Sequence, residues 1–457
     1  MPTFFLLPLF SIFSIFSLTS AYSTTLSLSP TAVAPPLTAN PWQKLNHLAA
    51  ASSTRAHHLK HPKSNISAAK VPLFPRGYGG YSISLSFGTP PQTLSFIMDT
   101  GSSLVWFPCT QRYSCSSCSF VNVDPTNIPT FIPKSSSSSK IVGCRNPKCR
   151  WIFPSVQCRD CDNKNTTACN ELCPPYIIQY GSGSTTGLLL SETLIFPEKS
   201  VDNFAVGCSV FSSRQPEGIA GFGRGPESLP VQMGLKRFSY CLVSHRFDDA
   251  PVSSDLILTI GGAAAAKGGP NYTPFRKNPN SSNPAFLDYY YVTLRKITVG
   301  GVNVKAPYKF LVADSAGNGG TIVDSGTTFT FMDDQVFELV AREFEKQVGG
   351  NYSRAMEVEK QSGLRPCFNV SGENTITLPQ LTFHFKGGAE MNLPLADYFS
   401  FLEDSVICMT IVTAGNAGRG GVGPGPAIIL GNYQQQNFYM EYDLENERLG
   451  FQQQLCK

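Results

Sequence analysis

The residues best suited to chemistry are two aspartates in matching settings. Ile97-Met98-Asp99-Thr100-Gly101-Ser102-Ser103 and Ile322-Val323-Asp324-Ser325-Gly326-Thr327-Thr328 each run an apolar pair, Asp, a small hydroxyl residue, Gly and two further hydroxyl residues. The apolar pair reads as the end of a buried strand, and the Gly lets the backbone turn sharply or approach another group. One such sequence is an ordinary turn. Two copies 225 residues apart point to a duplicated half, with the two carboxylates meeting on a pseudo-twofold axis.

Two carboxylates held close cannot both ionise freely. Repulsion raises one pKa, donors lower the other, and the pair titrates as a unit sharing one proton. One member then acts as base and its partner as acid. A water between them loses a proton as it attacks a peptide carbonyl, with no covalent intermediate and no metal or other cofactor. Ser102 and Thr327 are placed to hydrogen-bond the outer carboxylate oxygens, and Thr100 and Ser325 to tie the two loops together.

The elements around these loops read as strands. Tyr81, Ile83, Leu85 and Phe87 alternate with Ser, and Thr93 to Met98 is the strand that delivers Asp99. Tyr176 to Leu190 reads as a hairpin whose tip, Tyr180-Gly181-Ser182-Gly183, is mobile enough to close over a cleft and grip an extended peptide. The bland role of Tyr180 is cross-strand packing. Gly218-Ile219-Ala220-Gly221 and Ile428-Ile429-Leu430-Gly431 are apolar, glycine-bearing runs in equivalent places of the two halves. The halves are expected to join near residues 261–285. One segment reads clearly as helix: Val336, Phe337, Val340, Phe344 and Val348 recur at helical spacing after a cap at Asp333 or Asp334.

Composition agrees with a mostly β chain. Charged residues are 15% of 457, well below the roughly 25% of an average globular protein. The charge is uneven. Of 36 basic residues, Lys44, Arg55, Lys60, Lys63, Lys70 and Arg76 precede Asp99, which is the first acidic residue; 30 remain against 32 acidic ones. The front also holds His47, His57, His58 and His61. This basic stretch is diffuse and carries no nucleic-acid motif. Its basic residues are expected to cover carboxylates of the cleft.

Phe4 to Leu18 forms an apolar run followed by Thr19-Ser20-Ala21, which reads as a secretory signal although it lacks a positive n-region. An organelle transit peptide is the rival. Residues 22–76 read as a removable pro-segment with a helical patch from Trp42 to Lys60, its apolar stripe interrupted at Ser52; a disordered linker is the alternative. The expected plan is signal 1–21, pro-segment 22–76, N-terminal lobe 77–275 and C-terminal lobe 276–457. No run of about 18 apolar residues suggests a membrane span.

All fourteen cysteines lie between Cys109 and Cys456, and nine of them fall within residues 109–173. Cys115-x-x-Cys118 and Cys158-x-x-Cys161 invite a zinc or redox reading. In a cysteine-dense secreted chain, structural disulfides fit better. Sequons at Asn65, Asn165, Asn271, Asn280, Asn351 and Asn369 accord with secretion, to the extracellular space in preference to a vacuole or plastid.

Taken together, the two Asp loops, Tyr180 to Ser184, Gly218 to Gly225 with Ser228, Phe238-Ser239-Tyr240-Cys241-Leu242 and Ile428 to Gly431 resemble the pepsin-type aspartic proteases, and the cysteine-rich insertion after Trp106 resembles their nepenthesin-like plant branch. The resemblance covers about residues 80–455. It implies a bilobal fold of two pseudo-twofold related β-rich lobes around a cleft, Asp99 and Asp324 as the catalytic pair, Tyr180 as the flap tyrosine, and disulfides Cys367–Cys408 and Cys241–Cys456. It further implies a monomer acting on polypeptides at acidic pH. The alternative is a pepsin-like protein that has lost catalysis and serves as an inhibitor; both Asp-hydroxyl-Gly sequences and the tyrosine are intact here, which favours the enzyme.

Overall fold

The structure is a computed structural model. It describes residues 22–33, 41–60 and 78–456, except 119–123, 125, 159–169, 182, 197–198, 245–253, 261–268, 281–282, 404 and 415–424. The expected signal, Lys63, Lys70, Arg76, Asn65, Asn165, Cys161, Cys169, Ser182 and part of the lobe junction lie outside the described residues.

Strands dominate, as the alternating patterns require, and they build a bilobal pepsin-like fold. In the N-terminal lobe, Tyr78–Phe87 pairs antiparallel with Gln92–Asp99, and Gly218–Gly221 lies parallel to the latter with Gly221 opposite Asp99. Thr321–Val323 repeats this in the C-terminal lobe, running parallel to Ile428–Leu430 with Val323 opposite Leu430. The short strands Trp106–Pro108 and Thr330–Met332 pair antiparallel with Gly218–Gly221 and Ile428–Leu430 respectively. The two halves thus share one topology around their Asp loops.

Each repeat depends on close backbone approach at a glycine. A β-carbon on Gly221 would collide with the Ser103 carbonyl, and one on Gly431 would stand 2.5 Å from the Thr328 carbonyl oxygen. These glycines let the returning strand press against its Asp loop.

One large core spans both lobes, with Phe87, Phe96, Phe107, Phe238, Tyr290 and Tyr442 among its buried rings. Asp334–Val348 forms the expected helix. Asp333 caps it by accepting from Gln335 N, and Val336, Phe337, Val340, Phe344 and Val348 are buried.

The front of the chain is built into the fold. Pro41–Lys60 is a helix, and its stripe Leu45, Leu48, Ala49, Ala56 and Leu59 is buried against the C-terminal lobe. Ser52, the gap in that stripe, is buried too; its hydroxyl accepts from Phe329 N at 2.7 Å. Ahead of it, Tyr22–Val33 is a strand between Ser254–Ile260 and Tyr78–Phe87. A disordered linker does not describe these two segments. The strand escaped the sequence reading because its Ser and Thr content resembles that of the loops around it.

Six disulfides occur among the described residues. Cys241–Cys456 and Cys367–Cys408 are joined, together with Cys109–Cys208, Cys115–Cys118, Cys144–Cys158 and Cys149–Cys173. Both C-x-x-C motifs therefore have cysteine in disulfides, and no cluster of metal-binding side chains occurs among the described residues. No helix among them is long and apolar enough to cross a membrane.

Candidate active site

Asp99 ends the strand Gln92–Asp99, and Asp324 directly follows Thr321–Val323. Both carboxylates are buried. Gly101 N donates to Asp99 Oδ1 at 2.9 Å and Ser102 Oγ donates to Oδ2 at 2.6 Å. The second loop repeats this: Gly326 N donates to Asp324 Oδ1 at 2.9 Å and Thr327 Oγ1 to Oδ2 at 2.5 Å. Each carboxylate thus accepts one backbone and one hydroxyl hydrogen bond from its own loop.

The loops also hold each other. Ser325 N donates to Thr100 Oγ1 at 2.9 Å, and Thr100 N donates to Ser325 Oγ at 3.1 Å. The same hydroxyls donate across the axis, Ser325 Oγ to Met98 O at 2.9 Å and Thr100 Oγ1 to Val323 O at 3.3 Å. Hydroxyl residues are needed at both positions because each accepts from one backbone group and donates to another. The glycines matter as much. A β-carbon on Gly101 would lie 2.6 Å from Asp324 Oδ1, and one on Gly326 would collide with Asp99 Oδ1.

Burial, and the negative charge of Asp99, push the Asp324 carboxyl up to about 6, although Arg55, Thr327 and Gly326 pull the other way. A carboxyl that ionises near pH 6 beside a second carboxyl is the condition for acid–base work.

A cation from the front of the chain occupies the space between them. Arg55 Nη2 donates to Asp99 Oδ1 and Oδ2 at 2.8 and 2.9 Å, and Arg55 Nε donates to Asp324 Oδ2 at 3.4 Å. Burial works against the guanidinium, but the two aspartates outweigh it and hold it charged. Sequence alone marked Arg55 as one of six front cations and did not single it out. Its place within the apolar stripe, between Ser52 and Ala56, was the available signal.

The hairpin of Tyr176–Gln179 and Ser184–Ile195 closes over this arginine. Tyr180 N donates to Gly183 O at 2.7 Å and so fixes the tip. Tyr180 OH accepts from Trp106 Nε1 at 2.7 Å, and its ring centroid stands 6.0 Å from the Arg55 guanidinium carbon. A β-carbon on Gly181 would collide with the Arg55 backbone. The Tyr180 side chain therefore lies between Trp106 and Arg55, at the lip of the cleft.

Comparison with known proteins assigns the chain to a family. The family models described as xylanase inhibitor N-terminal and C-terminal match residues 81–261 and 289–453. A probable aspartyl protease of Arabidopsis thaliana is 35% identical over 421 residues, covering 82% of this chain and 82% of the relative. The chain belongs to the nepenthesin-like plant branch of the pepsin-type aspartic proteases. Nepenthesin-2 of Nepenthes gracilis is 34% identical, with 85% of this chain and 81% of the relative covered. Among solved structures, basic 7S globulin from soybean superimposes with a TM-score of 0.61 at 17% identity, covering 94% of this chain and 96% of that one; at this identity the likeness shows the fold.

Proposed function

We propose that this chain is the precursor of a secreted aspartic endopeptidase, in which Asp99 and Asp324 activate water at acidic pH and the helix Pro41–Lys60 blocks them until it is removed. The observation that carries the reading is the reciprocal pair of Asp-hydroxyl-Gly loops, each donating to its own carboxylate and bonded to the other through Thr100 and Ser325.

The mechanism follows from that geometry. Once Arg55 has left, the space between the carboxylates admits a water and a peptide carbonyl. One carboxyl keeps the shared proton and gives it to the carbonyl oxygen, while the other takes a proton from the attacking water. A neutral gem-diol results. The carboxyl that took the water's proton passes it to the amide nitrogen. As the C–N bond breaks, the other carboxylate takes a proton from a gem-diol hydroxyl, which yields the acid and amine products and restores the single-proton state. Ser102 and Thr327 hold the outer oxygens of the two carboxyls throughout. The hairpin around Tyr180 and Gly181, which now covers Arg55, would cover substrate in the same way.

The latch is electrostatic. With Asp324 ionising near pH 6, acidification removes negative charge beside Arg55 and weakens the contact that holds the helix. Proteolysis between Lys60 and Tyr78 would then separate the segment; the lobes proposed for the product are 77–275 and 276–457.

Secretion is supported by the apolar N-terminal run and the disulfides. Glycosylation is supported by the exposure of Asn271, Asn280, Asn351 and Asn369. The product is taken to act as a monomer.

The family models carry an inhibitor's description, which gives a second reading: a binding protein without turnover. The experiment is to acidify the full-length precursor and follow cleavage of a denatured protein. Pepstatin-sensitive cleavage supports the protease. Acid-treated protein that has lost its first 60 residues yet cleaves nothing supports the inhibitor.

A further inference from the structure

Five residues beyond Arg55, the blocking helix makes a second buried ion pair. Lys60 Nζ lies 3.2 Å from Asp333 Oδ2, with side-chain exposures of 7% and 5%. The ammonium also stands 5.1 Å from the centroid of the Phe331 ring. The backbone of Lys60 is pressed against Gly425, where a β-carbon would collide with Lys60 Cα. Asp333 Oδ1 is already taken by Gln335 N, the capping bond of the following helix, so Oδ2 is the oxygen that meets the cation. The pocket is therefore built on the C-terminal lobe: a fixed carboxylate oxygen, an aromatic face and a glycine that leaves room.

When the helix departs, Lys60 departs with it. Asp333 then keeps its capping bond to Gln335 N but lacks the cation that Oδ2 meets, a state that a new cation relieves. The lining Phe331 favours a charge carried on an apolar stem, as in Lys or Arg. The helix rises about 1.5 Å per residue, so Lys60 lies about 7.5 Å along its axis from Arg55. An extended peptide advances about 3.3 Å per residue, so that distance is two to three residues of substrate. The surrounding wall is apolar, with Phe286, Tyr289, Phe329, Val412 and Tyr433 in the cluster that now buries Leu48 and Leu59.

We propose that Asp333 and Phe331 form a specificity subsite for a Lys or Arg side chain two to three residues from the scissile bond, and that Lys60 occupies this subsite in the precursor. The proposal rests on the reading that the helix leaves the cleft.

The test uses the full-length chain, cut between Lys60 and Tyr78 by its own acid activity or by an added protease, with the released segment removed. Octapeptides carrying one lysine, walked through each position of an otherwise neutral sequence, are compared with norleucine counterparts of the same length. Binding is read by anisotropy of a labelled peptide, and turnover by kcat/KM. The chain is expected to favour lysine over norleucine about tenfold at a position two or three residues from the cut, as a charge-assisted contact implies. Asp333→Asn, which keeps a good helix cap, is expected to bring the ratio near one. Equal binding of the two peptides at every position, or a lysine preference that survives Asp333→Asn, overturns the subsite. Peptides that bind with the lysine preference but are never cut would keep the subsite and overturn the protease reading.

Discussion

Arg55 donates one guanidinium nitrogen to both oxygens of Asp99, at 2.8 and 2.9 Å. Its Nε reaches across to Asp324. The residue that blocks the site is therefore held by the groups proposed to do the chemistry, and their protonation must loosen it. Arg55→Met removes the charge and keeps most of the stem. The blocked form is expected to process at least tenfold faster at pH 6 than wild type, because a buried charge-assisted pair is worth more than about 1.4 kcal/mol. Gel analysis of processing against pH, with N-terminal sequencing of the product, measures this.

The direction of the pH effect follows from Asp324. Its carboxyl in the folded chain titrates near 6, above the 3.8 of a free aspartate. The blocked fold thus binds a proton that the unfolded chain releases, and its stability falls as pH rises from about 4 to about 6. For the latch the sign is opposite: ionised Asp324 attracts Arg55, so the helix is held most firmly above pH 6 and loosens below it. Processing is expected to begin as pH drops through about 6 and to accelerate toward 4.

Gly181 separates the lid from the latch. A side chain there would meet the Arg55 backbone. Gly181→Ala is expected to expel the helix and move the onset of processing to higher pH. Protease-accessibility mapping of residues 41–60 at pH 7 reads the effect, with cleavage inside the helix expected in the variant and not in wild type.

Thr100 tests the tie between the lobes. Thr100→Val keeps the shape but leaves Ser325 N and Val323 O without their partners. Each unpaired buried group costs about 1 to 3 kcal/mol. Thermal unfolding is expected to show a Tm lower by several degrees, with activity lost alongside.

Much of this was legible because it is local. The Asp loops, the capped helix after Asp333 and the apolar stripe of Trp42 to Lys60 each sit within one stretch of sequence, and the structure places them as elements. The partnerships were less legible because they join distant residues. Arg55 shares the buried side of its helix with Ser52 and Ala56, but its partners Asp99 and Asp324 are distant in sequence and come together only in the fold. The strand Tyr22–Val33 gains its hydrogen bonds from Ser254–Ile260 and Tyr78–Phe87, far away in sequence. The pairings Cys109–Cys208 and Cys144–Cys158 depend on how the insertion folds back, which spacing does not determine.

Asp397 offers a stability prediction independent of catalysis. It is fully buried, neither carboxyl oxygen has a hydrogen-bond partner, and burial pushes it up to about 8. The folded chain keeps it protonated where the unfolded chain does not, so it destabilises the fold progressively from about pH 4 to pH 8. Asp397→Asn is expected to raise Tm at pH 7.5 by several degrees and to leave it nearly unchanged at pH 3.5. Thermal melts at the two pH values decide this.

The central claim is that Asp99 and Asp324 together hydrolyse peptide bonds once Arg55 has left. The direct measurement is kcat/KM at pH 4 for wild type, Asp99→Asn and Asp324→Asn, each freed of residues 1–60 by the same added protease and checked for a native melt. Pepstatin-sensitive turnover is expected in wild type, with a loss of at least about a thousandfold in either variant. Folded variants that keep substantial turnover, or a folded wild type with none, would contradict it.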